Sequence, residues 1–362
     1  MSLKPKFVIF ADVNKKDKMP NNKIVAFDKL RIVAAFAVVV LHTVAPLFMD
    51  LYPSSDWSVA NMYESLVRWC VSIFFMISGA LFLKKEKDVN IGRLFKKNIL
   101  RILLAYLFWS AIYVIPLLNN GLNLSYILYK ILIGPFHFWF LKTLIGLYIA
   151  IPLFRTITSN RKTEEYFLLL AMMFGIVLPS ALSVIELYDI SLVAALRGFY
   201  KSFNITFVSI SSFYFVLGHY LLEYPISVAK RRIIYIIGIL SQVLVFGATY
   251  YGSMLADSPY QGFLGDSFVC NMFLAVAIFT FFVNSSNSIT SPNKVLTKVS
   301  ECTFGVYILH MYIIDLLYKA GFTPSAYSPY WFIPMYALMV FAISFSITFV
   351  LRWIPFVKRW LM

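Results

Sequence analysis

Apolar runs of about the length that crosses a bilayer recur along the whole chain, each closed by charges or turn residues. They predict ten helices, at about 30–49, 66–83, 99–118, 139–157, 166–184, 207–223, 232–251, 267–283, 303–320 and 331–353. Between the fifth and sixth, the stretch 185–206 contains ISLVAALRGFYKSF, whose pattern predicts an amphipathic helix lying in the interface or re-entering the bilayer. The expected fold is therefore an all-α polytopic membrane protein of about ten transmembrane helices. A short tail, 1–23, precedes a membrane domain at 24–355, and a second tail, 356–362, follows it. No internal repeat divides the domain.

The basic residues orient this array. With the N-terminus in the cytoplasm, all but Arg68, Lys130, Lys142, Arg197, Lys201 and Lys319 of the 32 Lys and Arg residues fall in cytoplasmic segments. The expected outer loops 50–65, 252–266 and 321–330 contain none. This is the charge asymmetry of a membrane protein, and an even number of helices puts both termini in the cytoplasm.

Composition agrees. The 362 residues are 60% hydrophobic and 14% charged, with a mean hydropathy of +0.77; soluble domains carry about 25% charged residues. The net charge of +15 belongs to the cytoplasmic loops and their contact with anionic lipid, and no nucleic-acid-binding motif accompanies it. The Lys-rich N-terminus has only Phe7 to Phe10 as an apolar run, too short for a secretory signal. Cys70, Cys270 and Cys302 show no CxxC spacing, so neither a disulfide framework nor a zinc site is expected. P-loop, GxSxG, HExxH and Rossmann patterns are absent.

Chemistry enters with the first helix, FDKLRIVAAFAVVVLHTVAP, which carries Arg31 and His42. Eleven residues apart, they share a face and lie roughly 16 Å apart along the axis. With Arg31 at the inner surface, His42 is near the bilayer midplane. Ionisable groups at that depth are costly and face a protein or water-filled interior. His310, in FGVYILHMY, lies roughly 13 Å into its span from the cytoplasmic side, nearly level with His42, and Tyr307 shares its face. His137 opens the run FHFWFL at the outer mouth of the fourth span. His219 fits best as a neutral imidazole bonding a neighbouring helix. The basic cluster Lys84, Lys85, Lys87, Arg93, Lys96, Lys97 and Arg101 serves topology and lipid headgroups, and with Arg31 it offers phosphate ligands. Outer aromatics such as Tyr52, Trp57, Trp139, Tyr330 and Trp331 suit an interfacial belt or sugar stacking. Arg197 and Lys201, one turn apart, either snorkel or bind an anionic outer substrate.

These landmarks resemble the acyltransferase-3 family, in the branch of bacterial O-acetyltransferases that modify surface polysaccharides. The resemblance runs over about 24–355. It rests on Arg-x10-His at Arg31 and His42, and on VSIFFMISGALFL with Ser78 and Gly79. KKNILRILLAYLFWS, HFWFLKTLIGLYIAIPLFR and ECTFGVYILHMYIIDLL complete the set. One position departs: where the family often has Arg-x-x-Arg, this chain reads Asn98-Ile-Leu-Arg101, with Lys97 standing in for the first arginine.

The resemblance implies acyl transfer from a cytoplasmic acyl-CoA, usually acetyl-CoA, to a hydroxyl of a polysaccharide or lipid-linked glycan beyond the bacterial inner membrane. It gives His42, with Tyr307 and His310, the chemistry, His42 acting as general base or acyl relay. Arg31, Lys97 and Arg101 hold the CoA phosphates; His137, Trp139, Arg197 and Lys201 meet the acceptor. No metal is expected. The competing reading is a transporter or flippase for an exported oligosaccharide, whose paired broken helices the sequence does not display.

Overall fold

Ser, Asn and Asp side chains set where many of the helices start. Ser54, Asn123, Asn160, Asp189, Ser209, Ser227 and Asn293 each accept a bond from a backbone N–H of the first turn, satisfying donors that the helix itself leaves open. The computed structural model describes residues 21–84, 90–120, 123–205, 208–285 and 293–362. The tail through residue 20, and Lys85 and Lys87 of the basic cluster, lie outside them.

In chain order the helices are α1 (Asn21–Asp50), α2 (Ser55–Phe82), α3 (Ile91–Val114), α4 (Leu124–Ile133), α5 (Phe136–Ile149), α6 (Ile151–Thr158) and α7 (Arg161–Glu186). They continue with α8 (Ile190–Ser202), α9 (Ile210–Glu223), α10 (Val228–Ala256), α11 (Val269–Ser285), α12 (Lys294–Lys319), α13 (Pro329–Leu351) and α14 (Pro355–Trp360). Among the described residues there is no strand. The protein is an all-α polytopic membrane protein. Seven helices, α1, α2, α3, α7, α10, α12 and α13, are long and apolar enough to cross a bilayer, and the pair α4–α5, bent by 52°, makes an eighth when taken as one span. The sixth and eighth expected spans are shorter helices, α9 of 14 residues and α11 of 17.

Two expected boundaries move for physical reasons. The second span begins at Ser55, eleven residues before the apolar run does. Its first half carries Asn61, Glu64 and Arg68, which depress hydropathy, yet Asn61 and Glu64 are fully buried against protein. The fourth span breaks at Ala150, where Pro152 suits the first turn of a new helix, α6. The expected amphipathic segment is α8, exposed along most of its length.

Around α1 the core is built from α2, α11, α12 and α13. Opposite α1, helix α2 lies along α9 so closely that a Cβ on Gly79 would overlap the backbone of Phe215, and one on Gly218 the backbone of Met76. Small residues are what allow two membrane helices this approach. Where α1 meets α2, Trp57 Nε1 donates to Phe48 O at 2.9 Å. The segment after α14 turns back on α3: Trp109 Nε1 donates to Leu361 O at 3.0 Å, and Arg101 donates to Lys358 O at 3.3 Å and to Met362 O.

Gly79→Ala is expected to destabilise the protein by about 1–3 kcal/mol through overpacking, read as a lower Tm in detergent. Gly146→Ala, where an added Cβ meets nothing within 4 Å, leaves Tm unchanged or raises it slightly.

Candidate active site

Three imidazoles from three helices meet inside the protein. His42 comes from the middle of α1, His137 from the opening turn of α5, and His310 from α12. Their ring centroids lie 5.2 Å (His42–His310), 5.2 Å (His137–His310) and 6.3 Å (His42–His137) apart. His310 is fully buried and His137 nearly so.

His137 does not sit at the outer mouth as its place in the sequence suggested. Gly134 adopts φ +68°, Pro135 follows, and the chain bends by 52° between α4 and α5, turning His137 into the bundle. Glycine suits this bend because its φ lies where a side chain would be strained. Tyr307 locks the result, its hydroxyl donating to the His137 carbonyl at 2.5 Å.

His310 has a defined tautomer. Its Nδ1 lies 3.2 Å from Val306 O, a carbonyl that only accepts, so Nδ1 carries the proton. Nε2 is then a bare lone pair, and it is buried without a hydrogen-bond partner. On either side of His310, the Tyr113 hydroxyl enters the α12 backbone ladder, donating to Ile308 O at 2.8 Å and accepting from Tyr312 N at 3.0 Å. A side chain inserted there shapes the helix locally, beside the imidazole. The arrangement also alters one expectation. The resemblance implied that Tyr307 or His310 takes part in the chemistry, for instance by donating to a developing oxyanion; here the Tyr307 hydroxyl donates to His137 O and His310 Nδ1 lies against Val306 O.

Beside the histidines lies a slender cavity of about 40 Å³, room for very few water-sized groups. His42, His137 and Tyr307 line it together with Val38, Thr303 and Phe304. Val38 and Thr303 lie one to two turns from His42 and His310 toward the N-terminal ends of α1 and α12, so the cavity extends from the imidazoles in that direction. Trp139 and Phe74 complete its wall, Trp139 being also partly exposed.

At the inner end of α1, Arg31 is buried and pairs with Asp28 at 3.3 Å. Asp28 in turn accepts from Thr297 Oγ1 of α12 at 2.9 Å, and Tyr148 is within electrostatic reach of Arg31. A model of the acyltransferase domain matches residues 24–360, nearly the entire chain, and spans both Arg31 and the histidine cluster. The chain belongs to the acyltransferase-3 family. No curated protein and no solved structure matches it. It is thus a multi-pass membrane acyltransferase, which requires an acyl donor and an acceptor.

The remaining residues expected at the site of this acyltransferase are not drawn to the cluster. Arg101 bonds carbonyls of the C-terminal segment and neighbours the Arg352–Glu301 ion pair. Lys97 is exposed on the π-helical turn Leu94–Ile99. Arg197 forks to both oxygens of Glu186 at 3.0 and 2.9 Å, and Lys201 is exposed. His219 pairs with Glu164 at 2.8 Å, both fully buried, and acts as a helix-to-helix bond. Among the described residues no three His, Cys, Asp or Glu side chains converge as metal ligands.

Sequence reasoning missed a second polar group. Arg68 donates to Glu64 across one turn of α2 and lies within electrostatic reach of His42. It is also within electrostatic reach of Asp266, on the segment 257–268 that joins α10 to α11. That segment is folded into the protein: Tyr214 donates to Asp266 O at 2.8 Å, and Asn271 donates to Phe263 O at 3.0 Å and Gly265 O at 2.9 Å. The signal that marks Arg68 is its place among the six basic residues that break the charge asymmetry.

Burial pushes the Asp266 carboxyl up from 3.8 to about 6, with Arg68 pulling the other way. A carboxyl whose folded value is raised binds its proton more tightly folded than unfolded. Stability is therefore lowest above pH 6 and rises as pH falls from about 6 toward 4. Asp266→Asn is expected to raise Tm at pH 7.5 and to flatten the rise of Tm on acidification between pH 7 and 4.5.

Proposed function

We propose that this acyltransferase moves an acyl group, acetyl in the first instance, from cytoplasmic acetyl-CoA to a hydroxyl of a polysaccharide or lipid-linked glycan on the outer side of a bacterial inner membrane. The observation that carries the reading is the meeting of three imidazoles, two of which, His42 and His137, line a small cavity that also reaches Val38 and Thr303, toward the N-terminal ends of α1 and α12. A pantetheine arm is several times larger than this space and would enter only as the side chains around it open. Its thioester would then stop beside His42, with the anionic end of the donor near the basic inner surface that holds Arg31, Lys97 and Arg101.

An alcohol is a weak nucleophile until a base takes its proton during attack. In this reading His42 is that base. The acceptor oxygen forms a bond to the thioester carbonyl carbon, and its proton passes to His42. The C–S bond then breaks, and the departing thiolate takes the proton back to give free CoA. His310, whose ring centroid lies 5.2 Å from that of His42 and whose Nε2 is unpartnered, would orient His42 if the two rings close to a hydrogen bond as the donor binds, as a triad carboxylate orients its histidine. His137 and Trp139 bound the chamber in which the acceptor hydroxyl meets the thioester. Covalent relay through His42 uses the same geometry, with the acyl group resting on the imidazole between two transfers. A transporter gains no support from any particular feature of the site.

Purified wild type incubated with labelled acetyl-CoA and glycan is expected to transfer label. His42→Ala is expected to lower the rate by about 10²-fold or more with abundance and Tm retained; an unchanged rate overturns the role of His42. Arg31→Ala should raise the KM for acetyl-CoA about tenfold, the loss of one charge-assisted contact, with a smaller effect on kcat. An unaltered donor KM overturns its phosphate role.

A further inference from the structure

The polar group formed by Glu64, Arg68 and Asp266 has no part in the chemistry described so far, yet it stands next to it. Glu64 and Arg68 occupy the turns of α2 that precede Val71 and Phe74, and those two residues wall the cavity beside His42. They lie toward the outer end of the same helix. Arg68 is within electrostatic reach of His42, and of Asp266 on the segment 257–268. Donor slot and polar group thus extend from the histidines in opposite directions.

The group is built but not satisfied internally. Glu64 is only 1% exposed, and its Oε1 accepts from Arg68 while Oε2 is buried with no hydrogen-bond partner. Arg68 Nε is likewise buried and unpartnered. A carboxylate oxygen left bare in a membrane interior is costly, and such a group is retained where a ligand completes it. What completes it is defined by its chemistry. Two carboxylates and one guanidinium sum to a net negative charge, which disfavours a phosphate and favours a neutral molecule rich in O–H donors. Carboxylate oxygens accept from sugar hydroxyls, and the guanidinium donates to ring or hydroxyl oxygens.

We propose that Glu64, Arg68 and Asp266 form the acceptor subsite, binding neutral carbohydrate hydroxyls and presenting one of them to His42. This deepens the functional reading above and rests on it. The segment 257–268 then does more than connect α10 to α11. Its fastening through Tyr214, Asn271 and Ser180, whose Oγ accepts from Val269 N at 2.9 Å, holds Asp266 at a fixed depth. Acceptor choice resides in this segment and not in α8.

The test uses full-length protein in lipid nanodiscs, labelled acetyl-CoA, and de-O-acylated surface glycan from the cells that produce the protein. Glu64→Gln and Asp266→Asn keep shape and remove charge. Each is expected to raise the KM for glycan at least tenfold while the dissociation constant for acetyl-CoA stays within twofold. Asp266→Glu is expected to recover part of the loss. An unchanged glycan KM in both variants, or an equal loss of acetyl-CoA affinity, overturns the subsite while leaving the catalytic role of His42 standing. Wild type that fails to label the glycan overturns the functional reading and the subsite together, and that failure is recognisable because it precedes any substitution.

Discussion

An imidazole in the hydrocarbon layer has no water to bond, so it persists only where protein walls it off from lipid. That requirement organises the bundle. His42 sits on a helix whose neighbours include α2, α12 and α13; it is partly buried, and the buried imidazoles of α5 and α12 lie against it. The bend at Gly134–Pro135 brings His137 inward, Tyr307 pins its carbonyl, and Tyr113 props the α12 backbone on either side of His310. Each of these makes sense as support for polar rings that lipid would not tolerate.

Buried polar groups in this acyltransferase fall into two kinds. Some are joined to a partner across helices and serve as fasteners. His219 with Glu164, Arg352 with Glu301, and Asp28 with Arg31 and Thr297 are of this kind, and they tie α9 to α7, the end of α13 to α12, and α1 to α12. Others, in or near the histidine cluster, have buried polar atoms without a hydrogen-bond partner, among them His310 Nε2, both ring nitrogens of His137, and Glu64 Oε2. The first kind stabilises the fold. The second kind costs stability, as the raised carboxyl of Asp266 also does, and such costs collect where a protein meets substrates.

The primary structure by itself determined the class of fold, since long apolar runs with a one-sided charge pattern have few solutions other than a helical bundle in a membrane. It also determined the Arg31–His42 register, because eleven residues on one helix share a face whatever surrounds them. His310 was placed at the depth of His42 by the same arithmetic. What lay beyond it were the relations between helices. His137 and His310 are far apart along the chain, and only the packing of α5 against α12 joins them. Polar residues at 55–68 hid the first half of α2, because hydropathy assumes that a span faces lipid, and this one faces protein. Arg68 and Asp266, far apart in sequence, come within electrostatic reach of each other only because the segment after α10 folds back against the protein. Periodicity reports which face of one helix is polar; which other helix supplies the matching group is a property of the packed bundle, and tertiary structure alone decided it.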